Sequence, residues 1–303
     1  MLTAHVERYL SLRQSLGFKL SKSSRHLRAF ARFAVQHGET HIRLATAVDW
    51  AMEALTPGAR HSRLRDVERF ARFLQAEDPV HEIPSSDLFY LPRRRSLPYI
   101  YSTDELARIV KTTSHLRQSY PLRRETYATL LGLIAATGIR ISEALNLKLS
   151  DVLADGILRI ERTKFAKSRL IPLHPSVIDA LGCYMRLRCK LAVTDDHLFL
   201  SARKKRIDPS TVYLAFRLVL RLADITPERN RPPRIHDMRH SFATRALQEC
   251  MTRSPDVADH FVALSTYMGH ADIASTYWYL EATAELMSDI STLAEALVAG
   301  ESA

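Results

Sequence analysis

The chain has 303 residues, of which 46% are hydrophobic and 25% charged, a composition that predicts a globular protein large enough for two domains. Its 43 Lys and Arg residues outnumber its 33 Asp and Glu residues, and the formal charge of +10 favours a polyanionic partner, with nucleic acid as the first candidate. The excess is shared, because residues 1–95 hold 16 basic and 10 acidic residues, and the remainder holds 27 and 23.

Cysteine usage and hydropathy exclude several further classes. The three cysteines, Cys183, Cys189 and Cys250, form no CxxC pair, which argues against a disulfide framework and against a zinc site. The N-terminal sequence lacks a signal-peptide pattern, and no apolar run approaches the ~18 residues that would span a bilayer. We therefore expect a reduced, cytoplasmic protein.

Helical spacing of apolar residues dominates the first part of the chain. Between Leu2 and Gln75 it predicts four short helices, with the interleaved arginines on faces away from the core. The arginines in question are Arg25, Arg28, Arg32, Arg60, Arg63, Arg65, Arg69 and Arg72. Each is either solvated surface or a DNA contact. Domain one is predicted at residues 1–85.

The segment from Ile83 to Tyr101 has three prolines and the Arg93–Arg95 run, and residues 86–101 are predicted to form an extended linker. Ser102 and Glu105 then form a capping box that opens a second domain, 102–303. A buried helix is expected at 126–136, closed by Gly138, and a shorter one from Ser142. The segments ILRIER and RLIPL predict an antiparallel hairpin. Further helices are expected at 175–192, 210–223, 240–250, 256–268 and 282–298.

Several polar residues of this second domain are explained poorly by packing. Arg140 lies between apolar neighbours, where a cation needs a partner, and Glu143 is either that partner or a carboxylate on the first turn of a helix. Lys164 lies at the tip of the hairpin, where Lys167 and Arg169 are alternatives to it.

His236 and Arg239 have the spacing that places two donors on one helix face. The alternative pairs His236 with His240 as metal ligands, but HExxH and an acidic third ligand are absent. His270 follows Gly269, which is expected to end a helix, and Tyr279 comes nine residues later. Tyr277 is the alternative to Tyr279, because two residues two positions apart face different ways on a helix.

The motifs GIRISEAL, KFAKSRLIPL, HDMRHSFAT and MGHADI, with the tyrosine after them, resemble in order those of tyrosine recombinases of the Xer and phage integrase type. The resemblance implies a mainly α fold with a small antiparallel β-sheet, built from a four-helix SAM-like core-binding domain and an α+β catalytic domain. The catalytic residues it implies are Arg140, Lys164, His236, Arg239, His270 and Tyr279.

The same resemblance implies a reaction and its partners. Tyr279 would attack a DNA phosphate to form a 3′-phosphotyrosine link, with Lys164 donating a proton to the leaving 5′ oxygen, and neither a cofactor nor a metal ion is expected. Double-stranded DNA is the expected partner, bound by a tetramer in which the acidic segment after Glu281 docks in a neighbouring protomer. The motifs LSTYMGH and STYWYL place the chain nearer to mobile elements than to chromosome-dimer resolution. The alternatives are a type IB topoisomerase-like enzyme and a non-catalytic accessory subunit.

Overall fold

The computed structural model of the chain describes residues 2–90, 98–161, 168–226, 232–253 and 257–269. Tertiary contacts divide the chain into two compact units, residues 1–95 and 96–303. The described residues are mostly helical, with one two-stranded antiparallel sheet. This confirms the predicted fold class. No helix among the described residues is both long and apolar enough to cross a membrane.

Unit 1 contains the four helices that apolar spacing predicted. They are α1 (Leu2–Ser15), α2 (Ser21–Gln36), α3 (Leu44–Met52) and α4 (Pro57–Gln75). Phe30 and Trp50 meet edge-on at 5.5 Å between ring centroids, and Phe70, in the same core cluster, is fully buried. Thr56 caps α4 by accepting a hydrogen bond from the Ala59 amide, and the Pro57 ring suits the first helical position.

Two of the arginines expected on the outer faces of unit 1 contribute to its structure instead. Arg63 donates to the Trp50 carbonyl at 2.8 Å and its guanidinium lies over the Trp50 ring. Arg60 donates to the Ala54 carbonyl at 2.9 Å. The segment predicted as an extended linker also begins differently, because Ser86–Phe89 forms a 3-10 helix that packs on α4. Residues 91–97 lie outside the described part of the chain.

Unit 2 is built around one long buried helix. Its elements are α5 (Thr103–Thr112), α6 (Arg123–Thr137), α7 (Ile141–Asn146), β1 (Ile157–Ile160), β2 (Arg169–Pro172), α8 (Pro175–Cys189), α9 (Pro209–Leu222), α10 (Ile235–Arg253) and α11 (Val257–Met268), with short 3-10 helices at Thr113–His115 and Leu149–Asp151. Helix α6 packs against α5, α8 and α10. Its inward residues Tyr127, Leu130, Leu131 and Ile134 are essentially inaccessible to solvent. The predicted capping box of Ser102 and Glu105 opens α5.

The predicted hairpin is confirmed as an antiparallel pair in which Leu158 lies opposite Ile171 and Ile160 lies opposite Arg169. The register buries Leu158, Ile160 and Ile171 in the main core, so one face of the ribbon packs against that core. Arg169 is thus the first paired residue after the turn. The turn itself, with Lys164 and Lys167, lies outside the described residues.

Gly138 ends α6 as predicted, in a left-handed conformation with φ of +62°. A Cβ atom at this position would lie 2.5 Å from the Phe242 ring, so both the backbone conformation and the close approach of α10 require glycine. Helix α10 begins at Ile235, five residues before the predicted start. This difference places His236 and Arg239 in the first turns of α10 rather than ahead of it.

Candidate active site

Arg140 lies in the short turn between α6 and α7, immediately after the buried Ile139. Its Nη1 donates to Glu143 Oε1 at 2.7 Å, and its Nη2 donates to the Gly269 carbonyl at 2.8 Å. About a quarter of the side chain, 27%, remains exposed. The arginine is therefore paired, as its apolar surroundings required, and still reaches solvent.

Glu143 fills both of the roles that the sequence left open. It is the ion-pair partner of Arg140, and its Oε2 also accepts the Arg140 backbone N–H at 2.9 Å, as a first-turn carboxylate does. Burial alone would raise the pKa of Glu143, but hydrogen bonds and charge from Arg169, together with those from Arg140, hold the pKa below its ordinary value. The carboxylate is therefore charged at neutral pH.

Arg239 is almost completely buried, with 2% of its surface exposed. Its Nη1 donates to the Gly138 carbonyl at 2.6 Å and its Nη2 donates to the Met268 carbonyl at 2.7 Å. The guanidinium thus joins the C-terminal end of α6 to the C-terminal end of α11. Backbone carbonyls at helix ends carry partial negative charge, which makes them suitable acceptors for a buried cation.

His236 lies one turn before His240 on α10, and the two rings meet edge-on at 4.7 Å between centroids. The His236 side chain is accessible to solvent. Protein atoms around it nevertheless desolvate the ring and lower its pKa, and the positive charges of Arg239 and Arg140 lower it further, opposed by Asp237. The imidazole is therefore neutral at neutral pH, so one ring nitrogen can donate and the other can accept.

The C-terminal end of α11 is where these side chains converge. Three successive carbonyls, at residues 267–269, each accept a hydrogen bond from a different arginine. Arg140 and Arg239 supply two of these bonds, and the third comes from Arg169, whose Nε donates to the Tyr267 carbonyl at 2.8 Å. Gly269 has φ of +63° and directly precedes His270 in the chain.

The structure thus brings together three of the six predicted catalytic residues, Arg140, His236 and Arg239. The other three, Lys164, His270 and Tyr279, lie outside the described residues, as do the alternatives Lys167 and Tyr277. Arg169, the remaining alternative to Lys164, donates from all three of its side-chain nitrogens to protein acceptors. It is not a proton donor of the kind predicted, because an arginine does not lose its proton in proteins.

In the part of the chain that the structure describes, no third residue is placed to share a metal ion with His236 and His240. There, the residues able to share one ion are Asp195, Asp196 and His197, in the loop before α9. Those side chains already have protein partners: His197 Nδ1 bonds Asp195 at 2.7 Å, and Asp196 pairs with a lysine at 2.8 Å.

Residues 101–285 match the model of the phage integrase family. The chain is a tyrosine recombinase of that family. The family consists of enzymes that cleave and rejoin DNA, and a 3′-phosphotyrosine mechanism is typical of it. This confirms the predicted family and reaction class.

The recombinase has similar relatives over most of its length. It is 36% identical to "Putative integrase/recombinase y4rB" of Sinorhizobium fredii, covering 94% of both chains. It is 28% identical to tyrosine recombinase XerD of Rhizobium meliloti, covering 75% of this chain and 71% of that one.

Solved structures share its fold at lower identity. XerH site-specific recombinase bound to palindromic difH substrate matches with a TM-score of 0.65 at 18% identity, covering 90% of this chain and 79% of that one. The Tn1549 transposon integrase in complex with transposon right end DNA matches with a TM-score of 0.62 at 16% identity, covering 91% and 94%.

Sequence reasoning did not assign the recombinase's Arg169 to the site. Its position after the hairpin turn was noted only as an alternative to Lys164. No local pattern could have identified its role, because the acceptors of its hydrogen bonds lie 26 and 98 residues away in the sequence.

Proposed function

We propose that this recombinase cleaves and rejoins double-stranded DNA at specific sites, with Tyr279 as nucleophile and with Arg140, Lys164, His236, Arg239 and His270 acting on the scissile phosphate. One observation carries the proposal: Arg140 from one motif and Arg239 from another both donate to backbone carbonyls at the end of α11, immediately before His270, and both arginines act electrostatically on His236. The order of the motifs and the family membership support the three remaining assignments.

The arrangement suits the chemistry of a phosphodiester. A phosphate is negatively charged, it repels nucleophiles, and negative charge develops further in the transition state, so preorganised positive donors accelerate the reaction. Arg140 and Arg239 are permanent cations with planar forks of donors that match phosphate oxygens. Both are held in place by backbone carbonyls before substrate arrives. Neutral His236 adds a hydrogen-bonding group that can also accept a proton.

In the proposed reaction, the Tyr279 oxygen forms a bond to phosphorus while the bond from phosphorus to the 5′ oxygen breaks. Lys164 donates a proton to that leaving oxygen, and His236 accepts the proton of the tyrosine hydroxyl. The product is a 3′-phosphotyrosine link with a free 5′ hydroxyl. A 5′ hydroxyl from another strand then attacks the link and releases the tyrosine, so that no ATP and no metal ion are consumed.

The proposed assembly is a tetramer on two DNA sites. A lambda integrase tetramer bound to a Holliday junction shares this fold with a TM-score of 0.62, which supports it, as does the excess of basic residues in both units. The acidic segment after Glu281 is proposed to contact a neighbouring protomer. Similarity to a transposon integrase and to the y4rB protein supports a role in integration, excision or transposition of a mobile element, in the cytoplasm at the nucleoid.

Covalent trapping tests the proposal. The purified protein is incubated with nicked duplexes that carry the ends of its own candidate element, and the products are separated on a denaturing gel. Wild type, Tyr279→Phe and Tyr277→Phe are compared, because the second tyrosine provides a matched control. We expect a covalent protein–DNA band that disappears only in Tyr279→Phe, since phenylalanine keeps the ring and removes the attacking oxygen.

The other outcomes are equally informative. A band lost only in Tyr277→Phe would move the nucleophile by two positions. Relaxation of supercoiled DNA by the protein without pairing of two sites would favour the topoisomerase-like alternative. If the wild-type protein binds DNA but never forms a covalent link with it, the chain would be an accessory subunit.

A further inference from the structure

Arg169 occupies the first paired position of β2, opposite Ile160, and only 11% of its side chain is exposed. Its Nη1 donates to Glu143 Oε1 at 3.1 Å and its Nη2 donates to Glu143 Oε2 at 2.8 Å. The remaining nitrogen, Nε, donates to the Tyr267 carbonyl at 2.8 Å. One side chain thereby connects the hairpin, the first turn of α7 and the last turn of α11.

Glu143 stands between two arginines. Arg169 binds its two oxygens as a bidentate fork, while Arg140 binds the same two oxygens through its Nη1 and its backbone N–H. Planar bidentate pairs of this kind fix geometry as well as charge. The orientation of the Glu143 carboxylate, and with it the direction of the Arg140 guanidinium, therefore depends on Arg169.

The backbone beside Arg169 matches the shape of its guanidinium. A Cβ atom at Gly269 would lie 2.7 Å from Arg169 Nη1 and 3.0 Å from its Cζ, so the plane of the arginine lies against the glycine backbone. A lysine would keep the charge but would offer a single point donor in place of the three nitrogens that are used here. The site therefore requires arginine specifically.

We propose that Arg169 is a positioning residue for strand cleavage: it orients Arg140 through Glu143 and, by fixing the end of α11, through the Gly269 carbonyl to which Arg140 donates, without contacting the phosphate. The inference rests on the proposed function for the reaction that it supports. It predicts that loss of Arg169 reduces the rate of cleavage, leaves DNA affinity unchanged, and has its effect through Arg140.

The test compares wild type, Arg169→Gln, Arg169→Lys and the control Arg159→Gln in the full-length protein. Arg159 is a suitable control because it lies on the neighbouring strand, also pairs with carboxylates, and is 39% exposed. Covalent complex formation is measured at saturating DNA, and DNA affinity by fluorescence anisotropy. We expect Arg169→Gln to slow cleavage about 100-fold, as displacement of a catalytic group by ~1 Å can do, and Arg169→Lys to slow it about 10-fold, with Arg159→Gln close to wild type. DNA affinity should change by less than about threefold in all of them.

A second pair of variants tests the route of the effect. In an Arg140→Ala protein, adding Arg169→Gln should slow cleavage by less than about threefold further, because the two residues act in one chain of contacts. The inference would be overturned if the rate losses of Arg140→Ala and Arg169→Gln multiplied in full in the double variant. It would also be overturned by folded Arg169→Gln protein that cleaves within about threefold of wild type, or by a loss of DNA affinity that parallels the loss of rate.

Amide hydrogen exchange without DNA separates this inference from the proposed function. Arg169→Gln should exchange amides of α7 and of the last turn of α11 about 10-fold faster than wild type, whereas Arg159→Gln should not. Unchanged exchange in Arg169→Gln overturns the inference whether or not the protein cleaves DNA. If wild type forms no covalent complex but the exchange rates of wild type and Arg169→Gln differ as expected, the proposed function is contradicted and this inference is not. If Arg169→Gln fails to fold, Arg169→Lys carries the same comparison.

Discussion

Replacing Glu143 with glutamine removes the one carboxylate shared by Arg140 and Arg169. The side chain is 5% exposed, and its two oxygens accept four hydrogen bonds from those arginines. Glutamine has nearly the same shape, but its amide nitrogen would face arginine donors instead of accepting from them. The two guanidinium groups would then repel each other without a counterion between them.

The size of the effect follows from the burial of the group. Removing one partner of a buried ion pair costs about 3 to 5 kcal/mol, and because glutamine keeps one acceptor oxygen we expect the lower end, about 3 kcal/mol. At ~2 to 4 °C per kcal/mol for a domain of this size, the melting temperature of unit 2 should fall by roughly 6 to 12 °C. Glu161→Gln is the control, because Glu161 pairs with Arg159 on the surface and both side chains are more than a third exposed. This replacement should lower the free energy of unfolding by less than about 1 kcal/mol.

Scanning calorimetry of the full chain at several pH values measures the difference. Because the pKa of Glu143 lies below its ordinary value of 4.5 in the folded protein, its contribution is present above that pH and is lost as the pH falls through the folded pKa. The gap between wild type and Glu143→Gln should therefore be full at pH 7 and shrink below about pH 4.5. A melting temperature of Glu143→Gln within about 2 °C of wild type at pH 7 would refute the reasoning.

Gly138→Ala should destabilise unit 2 by about 2 to 4 kcal/mol in urea unfolding, because the new methyl group meets Phe242 in a left-handed backbone conformation. Gly132→Ala in the same helix should instead stabilise it by about 0.5 to 1 kcal/mol, since its Cβ would meet nothing closer than 3.9 Å; destabilisation by both would contradict this. The Nδ1 atom of His81 accepts from the Ile42 amide. Burial lowers the pKa of His81, and the charge of His41 lowers it further. Unit 1 should therefore lose stability as the pH falls below about 6.5. His81→Asn should flatten that loss in urea unfolding at pH 5 and pH 7.5, and an equal loss in both proteins would assign it to other groups.

Elements with strong local signals could be predicted from the sequence. The capping box of Ser102 and Glu105, the glycine that ends α6 and the register-setting alternation of the hairpin each depend on residues close together in the chain. The start of α10 was misplaced because two prolines precede it and its first residues are polar. There, Asp237 accepts from the Arg234 amide at 2.8 Å, which is one half of a capping box, made with aspartate where glutamate is the usual signal.

Part of the candidate site could likewise be predicted from the sequence, and part could not. The order of motifs was sufficient to select Arg140, His236 and Arg239, which the fold brings together. The backbone acceptors that hold the two arginines could not be predicted, because a carbonyl has no residue type and the Gly138 and Met268 carbonyls lie 101 and 29 residues from Arg239. Pattern reasoning therefore misses roles that the backbone carries, and it also missed the role of Arg169, whose acceptors are distant in the sequence.

A recombinase site must assemble several cations before DNA arrives, although like charges at close range repel strongly in a desolvated environment. Here Arg140, Arg169 and Arg239 are offset by one full negative charge, on Glu143, and by the partial charges of helix-end carbonyls. The same contacts fix the direction of each guanidinium, which is the preorganisation that stabilisation of a developing negative charge requires.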